Sequence, residues 1–442
     1  MSSVERGALR IAAVPAATSP EPSRAARGRA RACALAALGL AAALGASGCG
    51  GASATSQTTL RGARLTVYAS APLSGPGAAV ARDVVRAERL ALARAGGRAG
   101  HRRVRLVTLD AAQPETGRWD PARVSQNARR AAADPSAVAY LGELRDGGSA
   151  ISIPLLNEAG LLEVSPLDTA MALTTRSRAI AGSPERYYPK LREAGRTFAR
   201  LVPSDRVEAG ALAALAARVG VRRIALLNDG DTAALALSDA AAAALRRRGV
   251  AVVAREAVDV NARQEPELVA RVLARRPSGV LYAGAQPAAA ARVFRELARA
   301  APELTLLAPD ALADPAFLNG IETLEGTTYV TRPVRALRAY PPAARRFARA
   351  FAARWGAAPP PEALYGYEAM RAVLDAVRWA QRRAAGGPLT RAAVVEAFFA
   401  GQRRESVLGS YRIAPDGDTT LRRYGVFRVV AGRLRYVRAL DG

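Results

Sequence analysis

Small hydroxyl and acidic side chains stand where predicted strands run out into loops. Ser149 follows Gly147-Gly148 and opens a predicted helix. Its hydroxyl and the first free helical N–H groups make a site for an anion, favoured by the helix dipole. The same serine would serve equally as an ordinary N-cap. Ser74 precedes Gly75-Pro76 after the first strand, Ser165 and Thr169 follow the fourth, and Asp310 follows Leu306-Leu307-Ala308-Pro309 at another strand end. Such groups can grip a small charged solute, but they do not form a catalytic set. His101 is the only histidine and lies in the turn Gly100-His101-Arg102; the sequence has no Gly-x-Ser-x-Gly elbow and no metal-ligand spacing. An enzyme is therefore not expected, nor a metal or cofactor.

These residues need a scaffold, and the hydrophobic pattern supplies one. Short β-branched runs alternate with alanine-rich helical stretches: strands over 65–68, 104–109, 138–141 and 161–164, with helices over 77–94, 121–133 and 149–159 between them. The rhythm breaks over about 175–193 and resumes with strands at 223–227, 250–254, 279–282 and 304–308 and helices at 205–220, 232–248, 266–275 and 287–301. Repeated βα units imply parallel sheets covered on both faces, in two α/β halves. Helices follow near 341–355, 363–384 and 391–400. The tail switches to strands at 407–413, 424–430 and 434–437 with turns at Pro415-Asp416-Gly417-Asp418 and Ala431-Gly432.

The amino-terminal stretch has a different task. Arg24, Arg27, Arg29 and Arg31 precede an Ala/Leu run from 32 to about 44, and Ala46-Ser47-Gly48 precede Cys49. A helix of about 15 residues spans roughly 22 Å, short of the ~30 Å hydrocarbon core. The order therefore resembles a bacterial lipoprotein signal, with 1–48 cleaved and lipid on Cys49. The Gly/Ser/Thr-rich 49–61 reads as a flexible tether. Cys33 is the other cysteine and lies in the leader, so no disulfide is available to the mature chain.

The formal charge is +26, almost all of it arginine, since Lys190 is the only lysine. Such a balance invites a nucleic-acid reading. The arginines, however, are scattered along helical faces and not interleaved with aromatics, and no nucleic-acid motif accompanies them. No nucleic-acid partner is expected.

Several segments in order carry a resemblance: Ala71-Pro72-Leu73-Ser74-Gly75-Pro76, Val138-Ala139-Tyr140-Leu141-Gly142, Gly160-Leu161-Leu162-Glu163-Val164-Ser165-Pro166 with Thr169, Phe198-Ala199-Arg200-Leu201-Val202-Pro203-Ser204-Asp205, Tyr365-Gly366-Tyr367-Glu368-Ala369 and 409–418. Over about 62–437 the chain resembles the type 1 solute-binding proteins of the branched-chain amino acid (Leu/Ile/Val) family, the capture subunits of ABC importers. The resemblance implies two Rossmann-like α/β lobes joined by three crossovers near 198–201, 329–333 and 405–409, with lobe 1 from 62–196 plus 334–405 and lobe 2 from 203–329 plus 408–442. Ligand would sit between the carboxyl ends of the two sheets and be enclosed by hinge closure.

The resemblance also implies roles. Ser149 stands where the family binds the ligand carboxylate, with the Gly147 carbonyl open to an ammonium group; Ser74 and Thr169 are further polar contacts. Asp310 stands where the family often places the acid that pairs with that ammonium. Thr232 and Gln286 are the polar residues of the lobe 2 loops, where aromatic walls are missing: Asn228-Asp229-Gly230-Asp231-Thr232 leads into Ala233-Ala234, and Tyr282 into Ala283-Gly284-Ala285. The insert Ser183-Pro184-Glu185-Arg186-Tyr187-Tyr188-Pro189 could cover the space they leave. The partners implied are ABC permease subunits and, through Cys49, the membrane, with the chain a monomer. The alternative is a protein of the same fold that presents ligand to a signalling receptor.

Overall fold

The computed structural model describes residues 59–75, 78–113, 115–117, 119–144, 147–324 and 328–442. The leader, Cys49 and most of the tether lie outside them.

Near-continuous apolar runs such as Val138–Leu141 and Ile224–Leu227 form strands buried on both faces, as a parallel sheet requires. The first sheet contains β1 (Arg64–Ala71), β2 (Arg98–Ala99), β3 (Arg102–Asp110), β4 (Ala137–Leu141), β5 (Leu162–Ser165) and β6 (Phe198–Arg200), in the order β2-β3-β1-β4-β5-β6. All its neighbours are parallel except β2, which runs antiparallel to β3. The second sheet contains β7 (Arg223–Asn228), β8 (Ala251–Ala257), β9 (Gly279–Tyr282), β10 (Thr305–Ala308) and β11 (Thr328–Arg332). A small hairpin, β12 (Arg404–Ser406) with β13 (Gly409–Tyr411), stands apart, and β14 (Arg423–Val430) and β15 (Arg433–Asp441) complete the second sheet in the order β15-β14-β11-β10-β9-β7-β8. Here the last two strands are antiparallel.

Each sheet is finished by distant chain. The core of the first lobe joins Leu65, Val67, Leu141 and Val164 to Phe347, Tyr365, Met370, Val373 and Phe398. In the second lobe, Tyr282, Phe294 and Phe317 cover one face with edge-to-face ring contacts at 6.3 and 5.6 Å; Leu212, Leu226 and Leu245 cover the other.

The helix Pro121–Ala133 and the strand Gly279–Tyr282 fall where the pattern predicts them. Two segments read as crossovers, 198–201 and 329–333, contribute the strands β6 and β11. The single strand expected at 407–413 is instead the hairpin β12–β13, with Gly409 at φ 113° and Ser406 Oγ accepting the Leu408 N–H at 2.9 Å. Val407, Leu408, Tyr411 and Ile413 all belong to the first lobe's core. The final passage to the second lobe therefore follows Ile413, later than the expected 405–409.

One side chain closes two helix ends of the first lobe. Arg391, only 4% exposed, begins the helix Arg391–Phe399. Its guanidinium donates to the carbonyls of Ala132, Asp134, Ala137 and Ala159 at 2.7 to 3.3 Å. Ala132 and Ala159 lie at carboxyl ends of helices, where carbonyls lack helical partners. Replacing Arg391 by Met should keep the packing volume and strand those acceptors. Chemical denaturation should then show a loss of roughly 2–4 kcal/mol, given about 1–3 kcal/mol for each buried group left unmade; an unchanged midpoint would contradict this role.

Candidate functional site

Open parallel sheets bind ligands beyond the carboxyl ends of their strands. Beyond β1, Ser74 lies half-buried in a loop held by Asp110. The Asp110 carboxylate accepts N–H bonds from Leu73 at 2.8 Å and Ala112 at 2.9 Å. Partial burial opposes its charge, but these donors and the nearby Ser74 hydroxyl prevail and hold the carboxyl below its usual range.

Beyond β4 and β5 the outcome differs from the sequence expectation. Ser149 does open the helix Ser149–Glu158, but it is fully buried. Its N–H donates to Asp168 Oδ2 at 3.0 Å, and its hydroxyl accepts from the Glu143 N–H at 3.2 Å. A carboxylate occupies the helix amino terminus as the dipole favours, and it belongs to the chain itself. Asp168 is positioned by its own N–H to Ser165 Oγ at 2.8 Å, and its Oδ1 accepts from Ala170 N at 3.1 Å. Thr169 is buried, and its carbonyl accepts the Asp205 N–H at 2.9 Å. Gly147 is half-buried in the turn before the helix with φ 86°.

Behind these loops lies a buried polar layer. Tyr140 donates to Glu143 Oε1 at 2.6 Å, Ser165 Oγ to the Glu143 carbonyl at 2.7 Å, and Ser152 Oγ to Glu163 Oε1 at 2.7 Å. Burial pushes the Glu143 carboxyl up to about 7, against the pull of the Tyr140 and Ser70 hydroxyls, and the Asp168 charge adds to the rise. Burial also drives Glu163 well above the carboxylate range. On β6, fully buried Arg200 forms an ion pair with Asp418 at 2.8 Å and donates to the Asp168 carbonyl and to Thr174 Oγ1.

In the second lobe, Asp231 caps the helix Thr232–Arg247 through Ala233 N at 2.8 Å and leaves Thr232 exposed in the first turn. Asp229 Oδ2 accepts from Ala285 N and Gln286 N at 2.7 and 3.0 Å, binding the loop after β7 to the loop after β9; Gln286 is exposed. Asp310 follows β10. Its N–H donates to Glu208 Oε1 at 2.8 Å, and its carboxylate pairs with Arg332 Nε at 3.1 Å. Arg332 Nη2 reaches Glu362 Oε1 at 2.7 Å. Burial lowers the affinity of Arg332 for its proton, but Glu362 and Asp310 more than offset this. Glu362 immediately precedes the helix Ala363–Arg383, whose apolar residues lie in the first lobe's core. The acid expected to meet a ligand ammonium is therefore already bridged, through Arg332, to the other lobe.

Ser74, Gly147 and Gln286 thus stand in loops beyond strand ends, Thr232 and Asp310 in the first turns of the helical segments that follow β7 and β10, while Ser149 and Thr169 are built into the framework. The insert does not provide a free cover: Tyr188 packs with Ile153, Leu173 and Phe198 and donates to the Leu173 carbonyl at 2.8 Å. Sequence reasoning missed Asp168, Glu143, Arg332 and Glu362. Two of them left a signal: Asp168 is an acid among the hydroxyls after β5, and Arg332 directly precedes Pro333 at the end of a strand.

A family profile described as periplasmic binding protein matches residues 66–433. Solved structures share the fold. One is a branched-chain amino acid ABC transporter protein from Rhodospirillum rubrum, 24% identical, covering 85% of this chain and 100% of that one with a TM-score of 0.61. Another is an ABC transporter substrate-binding protein from Desulfitobacterium hafniense in complex with Leu, 19% identical, covering 85% and 100% with a TM-score of 0.66. A solute-binding protein from R. palustris in complex with benzoate is 16% identical, covering 86% and 98% with a TM-score of 0.61. No curated protein matches the sequence.

The Glu143 carboxyl gives a pH test. Its folded value, about 7, lies above the ordinary 4.5, so the native state holds the proton more tightly than the unfolded chain. Stability contributed by that proton is present below the ordinary value and is lost as pH rises through the window up to about 7. Glu143→Gln keeps an acceptor for Tyr140 and removes the titration. Its melting temperature should fall less than that of the parent between the two ends of that window, as measured by scanning fluorimetry; parallel curves would contradict the assignment.

Proposed function

Because the chain belongs to the periplasmic binding protein family, with the profile spanning 66–433, we propose that it is an extracytoplasmic, lipid-anchored solute-binding protein that captures a small polar ligand by hinge closure and delivers it to an ABC importer. The ligand is an amino acid or a related amide or carboxylate. Its site is the set of loops at the strand ends, with Ser74 and Gly147 from one lobe and Thr232, Gln286 and Asp310 from the other. The observation that carries this reading is the Asp310–Arg332–Glu362 bridge, which links a strand-end loop of one lobe to the other lobe beside the β11 passage. An ion pair between two bodies at their junction can take different arrangements in open and closed states, as hinge mechanisms require.

The internal carboxylate on the Ser149 helix supports a distinction among the candidate residues. Ser149 serves the fold and its hydroxyl is not offered to ligand, whereas Thr232 and Gln286 have exposed side chains. Lipid on Cys49 would confine the protein within a tether length of its permease and raise its effective concentration there.

Scanning fluorimetry against amino acids, amides and small aromatic carboxylates is the direct test. A ligand at about 100 times its Kd should stabilise by about 2.7 kcal/mol, and no shift across the panel would sink the small-solute reading. With the ligand in hand, Thr232→Ala and Gln286→Ala should each weaken affinity by roughly 0.5–1.5 kcal/mol, the net value of a hydrogen bond, while Ser149→Ala should lower stability and leave affinity nearly unchanged. A separate assay addresses the anchor: cells fed a labelled fatty acid should transfer label to the parent and not to Cys49→Ser, and an unlabelled parent would exclude lipidation at this residue.

A further inference from the structure

The amino-terminal ends of β1, β2 and β3, on one side of the first sheet, carry a row of like charges. In the pairing register Arg64 of β1 lies beside Arg103 of β3, and Arg103 lies opposite Arg98 of β2. Adjacent strands are about 4.8 Å apart, so three guanidinium groups are drawn into one row across three strands. Strand alternation puts Arg105 on the same face of β3 as Arg103. All four are exposed, and together with Gly96, Gly97 and Val104 they line a groove of about 340 Å³.

The row is poorly neutralised. Among the described residues, Arg64, Arg98 and Arg103 have no carboxylate within ion-pair distance; Arg98 donates to the His101 carbonyl, and Arg105 has Asp134 at 3.7 Å and Thr66 Oγ1 at 2.9 Å. Like charges placed directly opposite on neighbouring strands cost stability, so a row of three favours an external anion. The groove widens between Gly96 and Gly97, where an added Cβ would meet nothing within 4 Å. Guanidinium forks match phosphate oxygens in planar, bidentate geometry.

The place of the row in the chain selects among phosphate sources. It sits at the start of β1, at the far end of that strand from Ser74 and the ligand loops. The chain enters β1 through Thr59 and Leu60, and Leu60 is fixed by its N–H to the Leu389 carbonyl and by Arg102 Nη2 on its own carbonyl. Cys49 lies ten residues before Thr59, a reach of at most about 33–36 Å. We propose that the Arg64–Arg103–Arg98 row, flanked by Arg105, docks on anionic phospholipid headgroups and sets this edge of the lobe against the membrane, with the ligand loops at the opposite end of the strands. The tether argument rests on the lipid-anchor reading; the charge row does not.

The test uses the chain from residue 49 onward with Cys49→Ser, so that neither the leader nor a lipid contributes to vesicle affinity. Co-sedimentation should show binding to phosphatidylcholine vesicles containing about a quarter phosphatidylglycerol, little binding to pure phosphatidylcholine, and weakening with salt. Combining Arg64→Gln, Arg98→Gln and Arg103→Gln should reduce the affinity by about tenfold or more, at roughly one order of magnitude or less per surface arginine. Arg246→Gln, Arg247→Gln and Arg248→Gln together remove the same charge from an exposed site in the second lobe and should cost less than about twofold. Equal losses in the two triple variants would reduce the effect to diffuse charge and overturn the proposal, as would absence of binding by the parent. Thermal stabilisation by inorganic phosphate that the row variant loses, with vesicle binding unchanged, would make the row a free-phosphate site and overturn the lipid assignment. Arg103→Gln alone, at the centre of the row, should give the largest single loss; the same Cys49→Ser background keeps all these outcomes independent of whether Cys49 is lipidated.

Discussion

A fully buried guanidinium holds the two halves of the chain in register. Arg200 cannot remain charged inside the protein without partners, and its partners come from three separate segments: Asp418, Thr174 and the Asp168 carbonyl. Its own N–H donates to the Gly417 carbonyl. Arg200 ends the last strand of the first sheet, just before the chain enters the second lobe. Asp418 lies just before the chain supplies that lobe with its last two strands. The ion pair therefore fastens two passages to each other, and Gly417, at φ 96°, is needed because a Cβ there would collide with the Phe198 carbonyl.

The same junction determines how the strand-end loops are charged. A strongly basic protein holds three acids fully buried here, Glu163 within β5 and Glu143 and Asp168 in the loops after β4 and β5. Asp168 is stabilised by the amino terminus of the Ser149 helix, Glu143 by burial that favours its neutral form and by the Tyr140 hydroxyl, and Glu163 by Ser152 and likewise by burial. In this layer Glu143 Oε1 and Glu163 Oε1 are paired, while the second oxygen of each carboxyl is buried without a hydrogen-bond partner among the described residues. The exposed polar side chains Thr232 and Gln286 come from the second lobe, where Asp229 ties the loop after β7 to the loop after β9.

Positive charge is handled by position. Buried Arg391 donates to four carbonyls, and half-buried Arg332 pairs with two carboxylates. The exposed arginines at the start of β1, β2 and β3 are set against one another. The first group builds the fold, and the second leaves an unbalanced field at one edge of it.

Much of the scaffold was legible because local patterns decide it. Pro121 after Asp120 starts a helix, apolar runs such as Val280-Leu281-Tyr282 make buried strands, and glycines end helices at Gly220 and Gly249. The family's segments could be recognised along the chain for the same reason. Short strands such as β6 and β11 were not legible, since three to five residues acquire strand character only by pairing with β5, β10 and β14. The site divides the same way. Sequence alone identified a helix amino terminus at Ser149 that attracts a carboxylate, and an acid at Asp310 that seeks a cation. Only the tertiary structure decided that Asp168 and Arg332 would answer them, because a charge is satisfied by whichever partner the fold brings within about 3 Å, and that distance is unrelated to separation along the chain.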